Sequence, residues 1–286
     1  MSALDIRPAS AAEFAVAVEW AAAEGWNPGL DDLPAFHAAD PGGFFLGWID
    51  GRPASSISVV RYGPGFGFLG FYIVRPEHRG SGAGLATWTH GMAYLADCTT
   101  VGLDGVVAQQ ANYRKSGFVL AGRNVRHSGV PVLPAADSPG AAIRAATADD
   151  LPALLAYDRA FFAGPREAFT RAWALPGAGV RRQAMIAVAD GGIVGYGVIR
   201  ACRSGHKIGP LFADDAATAE ALFAALCRTV PGEEVSLDTP EDNAAAVGLA
   251  ERCGLAPVFE TARMYRGPAP ELPVARTYGI TTFELG

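Results

Sequence analysis

Apolar and polar positions follow the same order twice along the chain. "IRPASAAEF" at 6–14 returns as "IRAATADDL" at 143–151. In each, a short strand gives way to a hydroxyl residue with an acid three positions later, Ser10 with Glu13 and Thr147 with Asp150. Such a capping box satisfies the free N–H groups at a helix start, so a helix is predicted to begin at each. Phe14 and Val18 carry the apolar face of the first, and Leu151, Leu154 and Leu155 that of the second. A hairpin follows in each half. "FFLGWIDGRPASSISVVRY" turns at Asp50-Gly51 and "AMIAVADGGIVGYGVIR" at Asp190-Gly191; Asp-Gly between apolar runs is a strong hairpin signal. A further strand, 66–74 or 206–212, leads into a helix, 82–97 or about 214–229. A strand ending in Leu-Asp then closes each pattern, at 101–104 and 235–238.

Two α+β units of similar order are therefore expected. Between them "GVPVLPAADSPGAA" (129–142) holds three prolines and small residues, the composition of a linker. The boundaries read as a first domain at 1–130, a linker at 131–141 and a second domain at 142–286.

Composition narrows the function classes. Half the residues are hydrophobic and 18% are charged, enough to fill ordinary cores. The net charge of −6 is shared evenly by the halves. Neither carries the basic bias that phosphate neutralisation demands, so nucleic acid is not an expected partner. The four cysteines are widely spaced and make no metal-ligand pattern; reduced thiols in a cytoplasmic protein, with no metal, are expected. The N-terminus lacks an apolar signal segment, and the longest apolar stretch, 184–199, is too short and glycine-rich to cross a bilayer, so no membrane partner is expected.

The segment "RPEHRGSGAG" (75–84) joins strand 66–74 to the next helix, in which Leu85, Trp88, Met92 and Leu95 recur on one predicted face. Glycines at a helix N-terminus let backbone N–H groups approach a phosphate. A tight surface turn would look similar. A P-loop would need Lys after the glycines, which is absent. A dinucleotide fingerprint would need a third glycine where Leu85 stands, although Asp104 could still serve as a ribose acid.

"HRGSGAG" resembles the Q/R-x-x-G-x-G/A motif of the GCN5-related N-acetyltransferase (GNAT) superfamily, with Arg79, Gly82 and Gly84 at its fixed positions. "YRKSGF" (113–118) resembles that family's Y-x-x-x-G-F through Tyr113, Gly117 and Phe118. Nearly the whole chain is similar to tandem bacterial members with a divergent second half, in stretches such as "EGWNPG" (24–29), "IGPLFADD" (208–215) and "YGITTFELG" (278–286). The resemblance implies two tandem domains, each a mixed, mostly antiparallel sheet flanked by helices. It also implies acetyl-CoA as donor. Ile73 and Val74 would pair with the pantetheine arm. Arg79, Gly80, Ser81, Gly82, Ala83 and Gly84 would hold the pyrophosphate, and Lys115 would add charge nearby. One departure stands out: the family often has Asn seven residues before the Tyr, and here that position is Val106.

Direct acetyl transfer to an amine needs a base for the amine, donors for the oxyanion and an acid for the departing thiolate. Tyr113 is the expected acid. Strand 66–74 offers no carboxylate, so Asp104, Glu24 or a water chain is left as the base. Trp26, Asn27 and Phe44 lie where the family's acceptor loop runs and are expected to line the pocket of a small amine or peptide acceptor. The second half lacks the glycine loop and carries acids at the matching helix start, so a single active site in the first half of a monomer or homodimer is expected. A CoA-binding sensor without turnover is the rival reading.

Overall fold

In the computed structural model, which describes residues 4–133 and 140–286, the repeated pattern becomes a repeated fold. The first half runs β1 (Asp5–Pro8), α1 (Ala11–Ala23), α2 (Leu33–Ala39), β2 (Phe44–Ile49), β3 (Arg52–Tyr62), β4 (Phe66–Val74), α3 (Ala83–Tyr94), β5 (Thr100–Val106), α4 (Gln110–Lys115) and β6 (Val119–Gly129). The second runs β7 (Ala142–Ala145), α5 (Leu151–Asp158), α6 (Glu167–Ala174), β8 (Arg182–Ala189), β9 (Gly192–Ala201), β10 (His206–Ala213), α7 (Ala216–Cys227), β11 (Val235–Pro240), α8 (Ala244–Arg252), β12 (Ala256–Arg266) and β13 (Thr277–Gly279). Part of the linker, 134–139, lies outside the described residues.

Local signals act as the sequence suggests. Glu13 N–H donates to Ser10 Oγ at 3.3 Å, and Ser10 N–H donates back to the Glu13 carboxylate at 3.0 Å. Thr147 and Asp150 make the same box ahead of α5. Both hairpin turns place Asp and Gly at positive φ, 49° and 72° at Asp50-Gly51 and 50° and 76° at Asp190-Gly191. The apolar face predicted for α3 holds at Leu95, which is buried, and at Trp88 and Met92, which pack against the core, and is corrected at Leu85. Leu85 is 72% exposed, and the buried face is Ala83, Thr87 and Gly91. These small residues let the helix lie close on β3, where Thr87 and Ser55 hydroxyls meet at 2.6 Å and a Cβ at Gly91 would press on Ile57.

The fold is α+β, with a mixed, mostly antiparallel sheet. Of the joints along it, only β4–β5 and β10–β11 are parallel. The two halves share one 13-stranded sheet, in the order β1-β2-β3-β4-β5-β12-β6-β11-β10-β9-β8-β7, with β13 on β10. The halves have exchanged their last strands: β12 lies beside β5, and β6 lies beside β11. On one face of the seam an aromatic core joins them, with Phe36 of α2 stacked on Trp173 of α6 at 5.7 Å. Among the described residues no helix is long and apolar enough to cross a membrane.

The last ten residues cross between the halves. β13 pairs with Leu211 and Phe212 of β10, and Ile280 N–H donates to Asp238 O of β11 at 2.9 Å. The tail then runs on, buried, with Thr281 held by Arg166 at 3.0 Å and Leu285 O by the Tyr62 hydroxyl at 3.0 Å.

Candidate active site

β4 and β5 pair only from Phe66 to Leu69, opposite Thr100 to Leu103. Beyond Leu69 they separate, and a cavity of about 540 Å³ opens along Gly70–Val74 of β4. At the start of this stretch β4 bulges. Phe71 takes φ of 45°, a conformation unusual for a bulky side chain, and its carbonyl accepts from the Ser56 hydroxyl at 2.7 Å. Its ring is buried in the core against Phe14 and Phe36.

The glycine loop follows at the other end of the cavity. Gly80 and Gly82 have φ of 77° and 91°, and a Cβ on either would meet open space. Glycine is thus required by the backbone turn and leaves the approach clear. α3 starts at Gly82 without a side-chain cap, apart from a long 3.4 Å bond from Ala83 N–H to Ser81 Oγ. Its exposed start suits an anion. Arg79, Gly80 and Gly84 line the cavity. The Arg79 side chain turns back, however: Nε donates to Val74 O at 2.9 Å and the guanidinium pairs with Glu24 at the end of α1. Lys115 is exposed on α4, outside the cavity lining.

Tyr113 lines the same cavity and is 8% exposed. Its ring stacks on Trp88 at 5.6 Å and lies against Gly105 of β5, where a Cβ would come within 2.8 Å of it. Burial, and after it the neighbouring Tyr72, pushes the Tyr113 phenol well above its ordinary range. Among the described residues no group hydrogen-bonds its hydroxyl.

The two expected bases are both engaged. Asp104 lines the cavity, but its oxygens accept from Arg263 at 3.0 and 2.7 Å and from Asn124 at 2.8 Å, and its side chain has no exposed surface. So paired, the Asp104 carboxylate ties β5 to β12. Glu24 lines the cavity in its pair with Arg79.

Of the three residues expected to line an acceptor pocket, one lines the cavity. Trp26 lines the cavity, and its carbonyl accepts from Arg126 and Lys207, each at 3.0 Å. Burial, helped by nearby Arg126, lowers the Lys207 pKa to about 8. Asn27 does not face the cavity. At φ of 51° it exchanges two 2.9 Å bonds with the backbone of Ser204, between β9 and β10. Phe44 is also corrected: it is fully buried, with its ring 5.0 Å from Phe14. Part of the wall comes from the second half, Phe259 and Thr261 of β12 with Phe283 and Glu284 of the tail. These four lie far along the chain from the motifs; strand exchange brings in the first two and the crossing tail the last two. The stretch "YGITTFELG" was visible in the sequence but gave no sign of its destination.

Comparison with known proteins agrees with this geometry. A model of the acetyltransferase (GNAT) family matches residues 12–118, and a second acetyltransferase (GNAT) domain model matches 154–279. The holothin acyltransferase of Pseudoalteromonas sp. is 33% identical over 98% of this chain and 94% of its own. The chain belongs to the tandem GNAT acyltransferases. Two solved structures share the fold. A putative acetyltransferase from Pyrococcus horikoshii has a TM-score of 0.80 at 21% identity, covering 99% of this chain and 96% of that one. A tandem GNAT protein from the clavulanic acid biosynthesis pathway has a TM-score of 0.64 at 18% identity, covering 94% and 100%.

Within this tandem GNAT chain the two clefts have diverged. β10 and β11 also pair only briefly, from His206 to Ile208 opposite Val235 to Leu237. There the gap is filled by β13, which uses the edge that β4 leaves open. The acids at the start of α7 are engaged: Asp215 caps Thr218 N–H at 2.8 Å, and Asp214 accepts from the Tyr157 hydroxyl at 2.7 Å and pairs with Arg276. The second cleft thus offers no open strand edge like that of β4 beyond Leu69.

Proposed function

We propose that the protein transfers the acetyl group of acetyl-CoA directly to the primary amine of a small acceptor, at one site in the first half. The amine nitrogen attacks the thioester carbonyl, the C–S bond breaks, and Tyr113 gives its proton to the departing thiolate. Ile73 and Val74 on the open edge of β4 take the pantetheine arm by strand-like pairing. The backbone of Gly80, Ser81, Gly82, Ala83 and Gly84 takes the pyrophosphate. The observation that carries this reading is that the open strand edge, the glycine loop and Tyr113 meet in one cavity.

Trp26, Phe259 and Phe283 give the acceptor end an aromatic wall, which favours an amine with a flat, apolar body. Holothin, the compound in the relative's name, is therefore the first acceptor to try. Residues 142–286 serve to complete this pocket, and the reaction takes place in the cytoplasm, where acyl-CoA and reduced thiols occur together. The test is release of CoA thiol from acetyl-CoA and longer acyl-CoAs with a panel of amines headed by holothin, with mass detection of the product. Thiol and acylated amine should appear in equal amounts. Tight CoA binding without release for any amine would replace this reading with that of a CoA-binding module.

A further inference from the structure

Glu284 is the carboxylate of the cavity that has no partner. Its oxygens accept no hydrogen bond and join no ion pair among the described residues, whereas Asp104 is held by Arg263 and Glu24 by Arg79. It is only 6% exposed, yet it lines the cavity that Tyr113 also lines. A buried carboxylate with a purely structural role is normally paired, because desolvation of an unpaired charge is costly. Arg126, Arg200 and Lys207 act on Glu284 electrostatically, but each has a bond elsewhere: Arg126 to Asp238 at 2.6 Å, Arg200 to Asp32 at 3.0 Å and Lys207 to Trp26 O at 3.0 Å.

The main chain fixes where this carboxylate stands. Three residues before it, Thr281 is bonded to Arg166; one residue after it, the Leu285 carbonyl is bonded to Tyr62 and the Leu285 N–H to Thr282 Oγ1 at 3.0 Å. Glu284 itself lies against Gly70, where any Cβ would collide with its main-chain oxygen. Gly70 is the first residue of β4 past the last pair with β5. The tail is therefore seated at the apex of the strand separation, at the end of the cavity away from the glycine loop, and Glu284 shares the cavity wall with Phe283 and Trp26.

We propose that Glu284, delivered by the second half, is the general base of the first half's reaction. This rests on the acyltransferase reading above. As the amine nitrogen bonds to the thioester carbon, its proton passes to the Glu284 carboxylate; the C–S bond breaks and the sulfur takes the Tyr113 proton. The carboxyl and the phenolate then exchange their gained and lost protons with solvent, which restores the enzyme. The tail so serves both halves, closing one cleft with β13 and completing the other with Glu284.

The experiment is steady-state turnover of the intact chain and its Glu284→Gln variant with an amine that the wild type acetylates, alongside CoA affinity and thermal midpoint. The expected result is a fall in kcat of about 10²-fold or more with unchanged CoA affinity, the range for loss of a positioned base. Wild-type kcat in the variant overturns the proposal, as does a rise in KM alone, which would make Glu284 an acceptor-binding group. If Glu284→Gln does not fold, Glu284→Asp decides: a kcat lowered about tenfold or more supports the base, since the shortened carboxylate is misplaced, and wild-type kcat overturns it. A wild-type protein that binds CoA but acetylates no amine removes both the acyltransferase reading and the role of Glu284.

Discussion

Tyr113 owes its place to a glycine. Gly105 leaves room for the ring to lie flat on β5, and Trp88 covers its other side. Because burial raises the phenol's pKa above its ordinary 10, the group keeps its proton through neutral and mildly alkaline pH. An acid is thus present whenever a thiolate forms. Tyr113→Phe should lower kcat by about 10²-fold or more and leave CoA affinity unchanged; wild-type turnover in that variant would remove Tyr113 from the chemistry. In the wild type no alkaline loss below pH 10 should arise from this group, so such a loss that persists in Tyr113→Phe belongs elsewhere. Asp104 should behave in the opposite way. Asp104→Asn keeps the shape but leaves Arg263, 15% exposed, without its counter-charge. Stability in urea should fall by about 3–5 kcal/mol, while kcat per folded molecule stays near wild type. A large loss of kcat at unchanged stability would make Asp104 the base after all.

Among the elements, the small strand β13 decides which cleft is open, and Asn243 holds it. Asn243 Oδ1 accepts from Ala245 and Ala246 N–H, both at 3.1 Å, and its Nδ2 donates to Val274 O at 3.0 Å and Thr277 O at 2.9 Å. One buried side chain thus caps α8 and ties down the approach to β13. Asn243→Ala should cost about 2–4 kcal/mol, from a lost cap and two unpaired carbonyls, read as a lower midpoint in chemical denaturation; a loss under about 0.5 kcal/mol, the size of an ordinary surface change, would show that β13 is held by its strand pairing alone. The matching position in the first half is Val106, which lines the open cavity. This departure was legible in the sequence, but that Asn243 ties down β13 in the other half was not, because its partners Val274 and Thr277 lie about thirty residues away. Capping boxes, Asp-Gly turns and the glycine loop were legible for a simpler reason: each is decided within a few residues. The buried face of α3 was legible only in part, at Trp88, Met92 and Leu95. Counting large apolar side chains selected Leu85, whereas close packing on β3 selected Ala83, Thr87 and Gly91. Phe44 and Trp26 show the same limit, since both are aromatic residues near one loop and only the fold decides which one faces the core.

At the scale of the whole molecule, the sequence repeat suggests two units joined by a linker, but the exchange of β6 and β12 makes them one sheet. The states of Asp104 and Glu284 follow from this. Arg263 reaches Asp104 only because β12 lies beside β5, and Glu284 reaches the cavity only because the tail crosses the seam. A fragment of residues 1–130 would leave β6 without β11 and β12, and β5 without β12. Such unpaired edges invite aggregation. The fragment should therefore be insoluble or unfolded when expressed alone, as should 142–286, while co-expression of the two should give a soluble pair that turns over. For the intact chain, urea unfolding followed by tryptophan fluorescence should coincide with that followed by far-UV circular dichroism. The probes are independent, because of the five tryptophans only Trp173 belongs to the second half, whereas dichroism reports both. Coincident curves are the signature of one cooperative unit. Two separated transitions, or a soluble and active 1–130 fragment, would mean that each half closes its own sheet in solution and that the cavity does not depend on the exchanged strands.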